Sequence, residues 1–137
     1  MKFLYKENRI NIILNNKGNI FKLIKNVKKK TQFDELYISE IKPYKIKGWK
    51  FHSKKIQRIY VPIGKIQIFI FNSIKKKIKT IKIGEKNRKL ITIYNGVYYG
   101  FKSISKEKSL ILNLTYFSKK NKPKTKISYH PVISDIS

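Results

Sequence analysis

Residues 56–71 read IQRIYVPIGKIQIFIF, two runs of β-branched and aromatic residues that meet at a proline and a glycine. Pro62 fixes its φ angle and Gly64 permits a positive φ, so the segment predicts two strands joined by a tight turn. In the second run the isoleucines share one face, and the phenylalanines share the other with a glutamine. Because both faces are mostly apolar, we expect this strand to be central and covered on both sides.

The rest of the chain repeats this pattern on either side. Short runs of Ile, Val, Tyr, Phe and Thr alternate with clusters of Gly, Pro, Asn and Lys, and Asn95-Gly96 is a second turn signal. Such short strands at near-regular spacing predict an all-β sandwich or barrel in a single domain. The predicted strands lie near residues 10–14, 19–24, 35–42, 56–62, 65–71, 78–83, 89–94, 97–102 and 109–116.

The chain has 137 residues and no cysteine. This length predicts one domain, and the lack of cysteine excludes disulfides, thiolate metal sites and a cysteine nucleophile. Charged residues interrupt the apolar residues at the N-terminus, so no signal peptide is predicted. No apolar run approaches the roughly 20 residues of a membrane span. We therefore expect a soluble, cytoplasmic protein.

The net charge of +26 comes from 33 Lys and Arg against 7 Asp and Glu. Such a field attracts polyanions, so a basic nucleic-acid-binding barrel is one hypothesis. Against it, only three basic residues are arginines and the lysines are scattered along the chain. A genome rich in A and T would also raise the lysine content. We expect salt-sensitive, non-specific binding of nucleic acid but no specific recognition.

The chain contains three lysine-rich segments. Residues 26–31 and 72–79 are predicted to be solvated loops or lysine-protected strand edges. Residues 118–137 are basic and poor in apolar side chains, so they are predicted to form a mobile C-terminal tail. The folded domain is therefore expected to comprise residues 1–117.

Several kinds of chemistry lack the residues they need. The two histidines, His52 and His130, are too few for a metal site that needs several histidines and a carboxylate, so no metal is expected. The few acidic residues give little support to a glycosidase carboxylate pair or a Ser-His-Asp triad. No glycine-rich phosphate loop or dinucleotide fingerprint is present, so neither ATP nor NAD is expected. We predict no cofactor.

Three motifs carry a resemblance to a known family. They are residues 41–52, IKPYKIKGWKFH; residues 16–21, NKGNIF; and residues 91–101, ITIYNGVYYGF. From about residue 11 to residue 117, the order of elements resembles the dTDP-4-dehydrorhamnose 3,5-epimerase family. This resemblance implies a cupin-type double-stranded β-helix, a jelly-roll barrel that usually forms a homodimer. It also implies a metal-free epimerase or isomerase that acts on a dTDP-4-keto-6-deoxyhexose in lipopolysaccharide or other surface polysaccharide biosynthesis.

The resemblance also implies the catalytic residues. Lys50 falls where the epimerases carry their basic histidine, and His52 falls where related sugar ketoisomerases carry one. Alternate residues of a strand share a face, so these two point the same way. Lys50 is the expected base for proton abstraction next to the ketone, and His52 is its proton-transfer partner. Gln57 falls at the family's enolate-stabilising lysine, and Tyr99 falls at the histidine of the late motif.

The remaining positions concern the nucleotide and the catalytic acid. Lys17 and Lys47 match phosphate-facing positions, and Arg58 is expected to join them in binding the nucleotide-sugar. The family's tyrosine acid falls at Leu112, which cannot donate a proton. A non-catalytic cupin that binds a nucleotide-sugar or a saccharide therefore remains the alternative to an enzyme.

Overall fold

The computed structural model describes residues 4–25 and 33–118, and all the regular secondary structure there is β-strand. No helix among these residues is long and apolar enough to cross a membrane. The strands are β1 (Tyr5–Arg9), β2 (Asn11–Ile13), β3 (Ile20–Lys22), β4 (Phe33–Ile41), β5 (Ile46–Phe51), β6 (Lys55–Ile63), β7 (Lys65–Asn72), β8 (Lys77–Gly84), β9 (Lys89–Ile93), β10 (Tyr98–Ser103) and β11 (Ser109–Phe117).

Two antiparallel sheets form the body of the domain. One has the strand order β1-β9-β6-β11-β4 and the other the order β5-β10-β7-β8, while β2 and β3 form a separate hairpin. Buried side chains from both large sheets make one core that is rich in isoleucine. Burying each isoleucine is worth about 1.5–3 kcal/mol. The two antiparallel sheets packed on this core confirm the predicted all-β jelly roll.

The β6–β7 turn has the predicted geometry. Gly64 has a φ of 89°, and a Cβ added there would come within 2.8 Å of the Cα of Ser109. Both the turn and the close approach of β11 thus require glycine. β7 pairs with β10 on one side and β8 on the other, and most of its side chains are buried. The prediction of a central strand is confirmed.

Two strands have no counterpart in the prediction. Four of the five β1 side chains are exposed and polar, so β1 shows no apolar alternation, and it forms at the edge of the sheet by pairing with β9. β5 contains Gly48 among mixed side chains, and its pairing with β10 shifts register between Tyr99 and Phe101. A glycine and an irregular register both weaken a period-two pattern.

The structure describes only one of the two predicted lysine-rich connections, residues 72–79. In the second one, residues 73–76 form a turn and β8 begins at Lys77. All of the first, residues 26–31, lies outside the described residues, as do residues 119–137 of the predicted tail.

Candidate functional site

The end of β5 and the start of β10 bring three predicted residues together. Tyr99 pairs directly with Lys50 across the two strands, so both side chains point to the same face of the four-stranded sheet. His52 follows two residues after Lys50 and shares that face. The same face of β10 carries Phe101, which is buried in the core. The three side chains therefore point between the two sheets.

His52 and Tyr99 form a hydrogen bond inside the protein. His52 Nε2 lies 3.0 Å from the Tyr99 hydroxyl, and the two side chains are only 8% and 1% exposed. Burial raises the pKa of Tyr99 well above its ordinary value, so the phenol keeps its proton. The pair is therefore a protonated phenol in contact with an imidazole.

Burial and nearby cations keep His52 uncharged. Burial, followed by the charges of Lys55 and Lys50, lowers the pKa of His52 to about 4. The pKa of Lys50 is also lowered, first by burial and then by the charge of Lys47. At neutral pH the imidazole is therefore neutral and available to accept a proton.

Two aromatic rings lie near the Lys50 ammonium group. Its Nζ lies 5.7 Å from the centroid of the Phe101 ring and 6.0 Å from that of Tyr37. Contacts of this kind favour the charged form of lysine, whereas burial opposes it. Lys50 is thus a cation held in a partly desolvated setting.

Tyr37 belongs to the site but was missed in the sequence analysis. It lies on β4 opposite Asn113 of β11, on the inward face of the five-stranded sheet. Burial raises the pKa of Tyr37, the charge of Glu35 raises it further, and a hydrogen bond from Gln57 opposes both. The alternation of β4 towards buried Ile41 could have placed Tyr37 on the inner face.

Gln57 lies on the inner face of β6 and is fully buried. Its Nε2 donates a hydrogen bond to Oδ1 of Asn113, which is also fully buried. Asn113 Nδ2 in turn donates to the Ile111 carbonyl, at 3.0 Å. The position that the resemblance gave to an enolate-stabilising lysine is therefore an uncharged amide held in a buried network.

An ion pair lies beside His52, where β4 and β6 begin. Lys55 Nζ is 2.6 Å from Asp34 Oδ2, and the Thr115 hydroxyl donates to the same oxygen at 3.2 Å. The hydrogen bond from Lys55 is the largest cause of the lowered pKa of Asp34. Both charges act on His52, because Lys55 lowers its pKa and Asp34 raises it.

The other predicted residues lie away from this cluster. Lys17 is exposed in the turn between β2 and β3, and Lys47 is exposed on β5. Arg58 and Leu112 lie on the outer face of the five-stranded sheet, where they line an apolar cavity of about 300 Å³. The strand neighbours of Leu112 that point inward are Ile111 and Asn113. Leu112 therefore does not face the cluster of Lys50, His52 and Tyr99, and neither does Arg58.

Solved structures share this fold. A dTDP sugar isomerase from Desulfovibrio desulfuricans aligns with a TM-score of 0.77 at 23% identity, over 90% of this chain and 83% of that one. A sugar 3,4-ketoisomerase from Thermoanaerobacterium thermosaccharolyticum, in complex with TDP, aligns with a TM-score of 0.70 at 14% identity, over 89% and 85%. A dTDP-4-dehydrorhamnose 3,5-epimerase from Bacillus anthracis, with TDP and pyrophosphate bound, gives 0.70 at 15% identity, over 85% and 74%.

No family model matches the sequence, and no curated protein sequence matches it either. The structural likeness confirms the predicted cupin jelly roll. It also confirms, at the level of the fold, the resemblance to the dTDP-4-dehydrorhamnose 3,5-epimerase group.

Proposed function

We propose that this protein is an epimerase or isomerase that acts on a dTDP-4-keto-6-deoxyhexose by proton transfer at a carbon next to the ketone. The observation that carries the proposal is the buried hydrogen bond between His52 and Tyr99, with the Lys50 cation beside it. The solved structures of the same fold support the substrate class, since they are named as dTDP-sugar isomerases and epimerases.

The arrangement favours a different role in the reaction for each of the three side chains. As the substrate carbon gives its proton to the Tyr99 oxygen, the phenolic proton moves to His52 Nε2, which leaves a neutral phenol and an imidazolium. The electron pair of the broken C–H bond becomes an enolate, whose negative charge Lys50 stabilises. The reverse transfer returns a proton to carbon. This assigns the base to the His52–Tyr99 pair and changes the expected role of Lys50 from base to electrostatic stabiliser.

Deuterium exchange tests the reaction directly. The protein is incubated with dTDP-4-keto-6-deoxyglucose in heavy water, and NMR follows incorporation at C3 and C5. His52→Gln and Tyr99→Phe should each slow exchange by about 100-fold or more. Lys50→Met should slow it strongly, whereas Lys54→Met, a change to an exposed neighbouring lysine, should not.

The non-catalytic cupin remains the second candidate, because Gln57 supplies no cation and Leu112 faces outward. It predicts that the wild-type protein binds the dTDP-sugar without incorporating deuterium. That outcome would reject the enzyme and retain the binding site.

Phosphate binding is proposed for Lys47 and Lys17, which are exposed cations. Affinity for dTDP should fall as salt increases, because the contacts are to phosphate charge. Lys47→Met and Lys17→Met should each weaken dTDP binding, and Arg58→Met in the same assay tests the expected contribution of Arg58, which lies on the outer face. Duplex DNA serves as the control for general attraction of polyanions, and stabilisation by DNA alone would favour the nucleic-acid hypothesis.

A homodimer is also proposed, through the outer face of the five-stranded sheet. Leu36 and Ile38 of β4 are more than 60% exposed there, beside Leu112 and Leu114 of β11. β4 is an edge of its sheet within the described residues, so a second copy could pair with it and cover these apolar side chains. Ile38→Lys should give a folded monomer in sedimentation, and a monomeric wild-type protein would refute the dimer.

The cellular setting completes the proposal. We place the protein in the cytoplasm, in the synthesis of lipopolysaccharide or another surface polysaccharide. A cysteine-free sequence and a nucleotide-sugar substrate support this setting. Deleting the gene should change the deoxysugar content of the cell-surface polysaccharide, and an unchanged composition would argue against this role.

A further inference from the structure

The amides of Gln57 and Asn113 form a chain whose direction is fixed at its far end. Asn113 Nδ2 lies 3.0 Å from the Ile111 carbonyl oxygen and 3.4 Å from Ser39 Oγ. A carbonyl oxygen can only accept, so Nδ2 must donate and Asn113 Oδ1 must accept. Gln57 Nε2 is the donor to that oxygen. Gln57 therefore presents its other amide atom, Oε1, as a free acceptor.

The Gln57 Oε1 acceptor matches a donor that His52 can supply, the hydrogen on its Nδ1. Gln57 Oε1 and His52 Nδ1 are both buried, and neither has a hydrogen-bond partner among residues 4–25 and 33–118. Burial lowers the pKa of His52 most, and the Gln57 side chain acts in the opposite direction. A carbonyl oxygen that faces an imidazole N–H has this effect.

The contact at the other ring nitrogen is compatible with this tautomer. The Tyr99 phenol keeps its proton, and its oxygen lies 3.0 Å from His52 Nε2. A phenol hydroxyl can donate to this nitrogen or accept from it, so the contact fits either tautomer. When the phenol donates, the hydrogen of the neutral imidazole resides on Nδ1, and the Gln57 acceptor then decides between the two tautomers.

We propose that Gln57 is the positioning residue that holds His52 in its Nδ1–H tautomer, as the third member of a one-way hydrogen-bond chain. In the proposed chain Tyr99 donates to His52, the Nδ1–H of His52 is presented to the free Oε1 of Gln57, and Gln57 donates to Asn113. The opposite tautomer would set two buried acceptors, Nδ1 and Oε1, against each other, so we expect a preference of at least about tenfold. The role of this chain in catalysis rests on the proposed function, whereas the tautomer itself does not.

Replacing Gln57 separates positioning from packing. Gln57→Met keeps the length of the side chain and removes the acceptor, so the tautomer preference should disappear. If the protein is the proposed isomerase, kcat should also fall about 10- to 100-fold with KM little changed, as for other residues that orient a functional histidine. Gln57→Glu keeps an acceptor and should retain the Nδ1–H tautomer.

The test is NMR on ¹⁵N-labelled His130→Gln protein, in which His52 is the one histidine left. Long-range ¹H–¹⁵N correlations at neutral pH show which ring nitrogen carries the hydrogen. An Nε2–H tautomer in this protein overturns the proposal, and so does an unchanged tautomer in a folded Gln57→Met variant. The first measurement needs no change in the core, so it decides even if that variant does not fold. An Nδ1–H tautomer in a protein without deuterium exchange would reject the isomerase and keep the chain.

Discussion

The buried, neutral His52 should make the stability of the protein depend on pH. In the unfolded chain its pKa is about 6.5, whereas burial and the charges of Lys55 and Lys50 lower the folded value to about 4. Between these pH values the unfolded chain binds more protons than the folded one, so the free energy of unfolding rises with pH. The contribution is fully present above pH 6.5 and is lost as the pH falls to about 4. At about 1.4 kcal/mol per pKa unit, the loss amounts to about 3 kcal/mol.

Urea unfolding of the wild type and of His52→Gln measures this contribution. Trp49 is the one tryptophan in the sequence and is fully buried, so its fluorescence should report unfolding. The difference in unfolding free energy between the two proteins should change by about 3 kcal/mol from pH 7 to pH 4. His130→Gln is the matched control and should keep the wild-type slope. Equal slopes for the wild type and His52→Gln would show that His52 is not held neutral, and would refute the reasoning.

Three further substitutions test the packing and the charges around the site. Gly64→Ala should destabilise the protein by about 1–3 kcal/mol in urea unfolding, because the positive φ and the approach of β11 leave no room for a Cβ. Ile68→Ala, in the core, should cost about 2–5 kcal/mol, whereas Ile74→Ala, at 92% exposure, should change the stability by less than about 0.5 kcal/mol. Lys55→Met removes a cation that lowers the pKa of His52, so an NMR titration of the imidazole should give a higher pKa. An unchanged value would show that the charge of Lys55 does not reach the ring.

Part of the site could be predicted from the sequence because Lys50 lies on β5 and His52 directly follows that strand. Lys50 and His52 are two residues apart, and strand geometry alone puts them on one face. Tyr99 was assigned by motif, and its pairing with Lys50 depends on the register of two strands distant in sequence. Tyr37 and Asn113 were not predicted, because only the pairing of β4 with β11 brings them to the inner face beside Gln57.

The outward orientation of Leu112 and Arg58 could not be predicted from the sequence either. A shift of one residue in strand register moves a side chain from the core to the surface. The inward residues of β11 were therefore decided by its pairing with β6 and β4, with an irregularity between Leu110 and Leu112. Motif matching alone could not detect that irregularity.

By itself, the sequence determined the strand-forming runs, the glycine turn at residue 64 and the alternation that makes β7 central. These features depend on neighbours within a few residues, where φ preferences and side-chain alternation act. Only the tertiary structure decided that Gln57 meets Asn113 across 56 residues and that Tyr99 meets His52 across 47. The same packing decided that His52 is neutral. These outcomes depend on cross-strand register and on desolvation by the assembled sheets, which no local stretch of sequence contains.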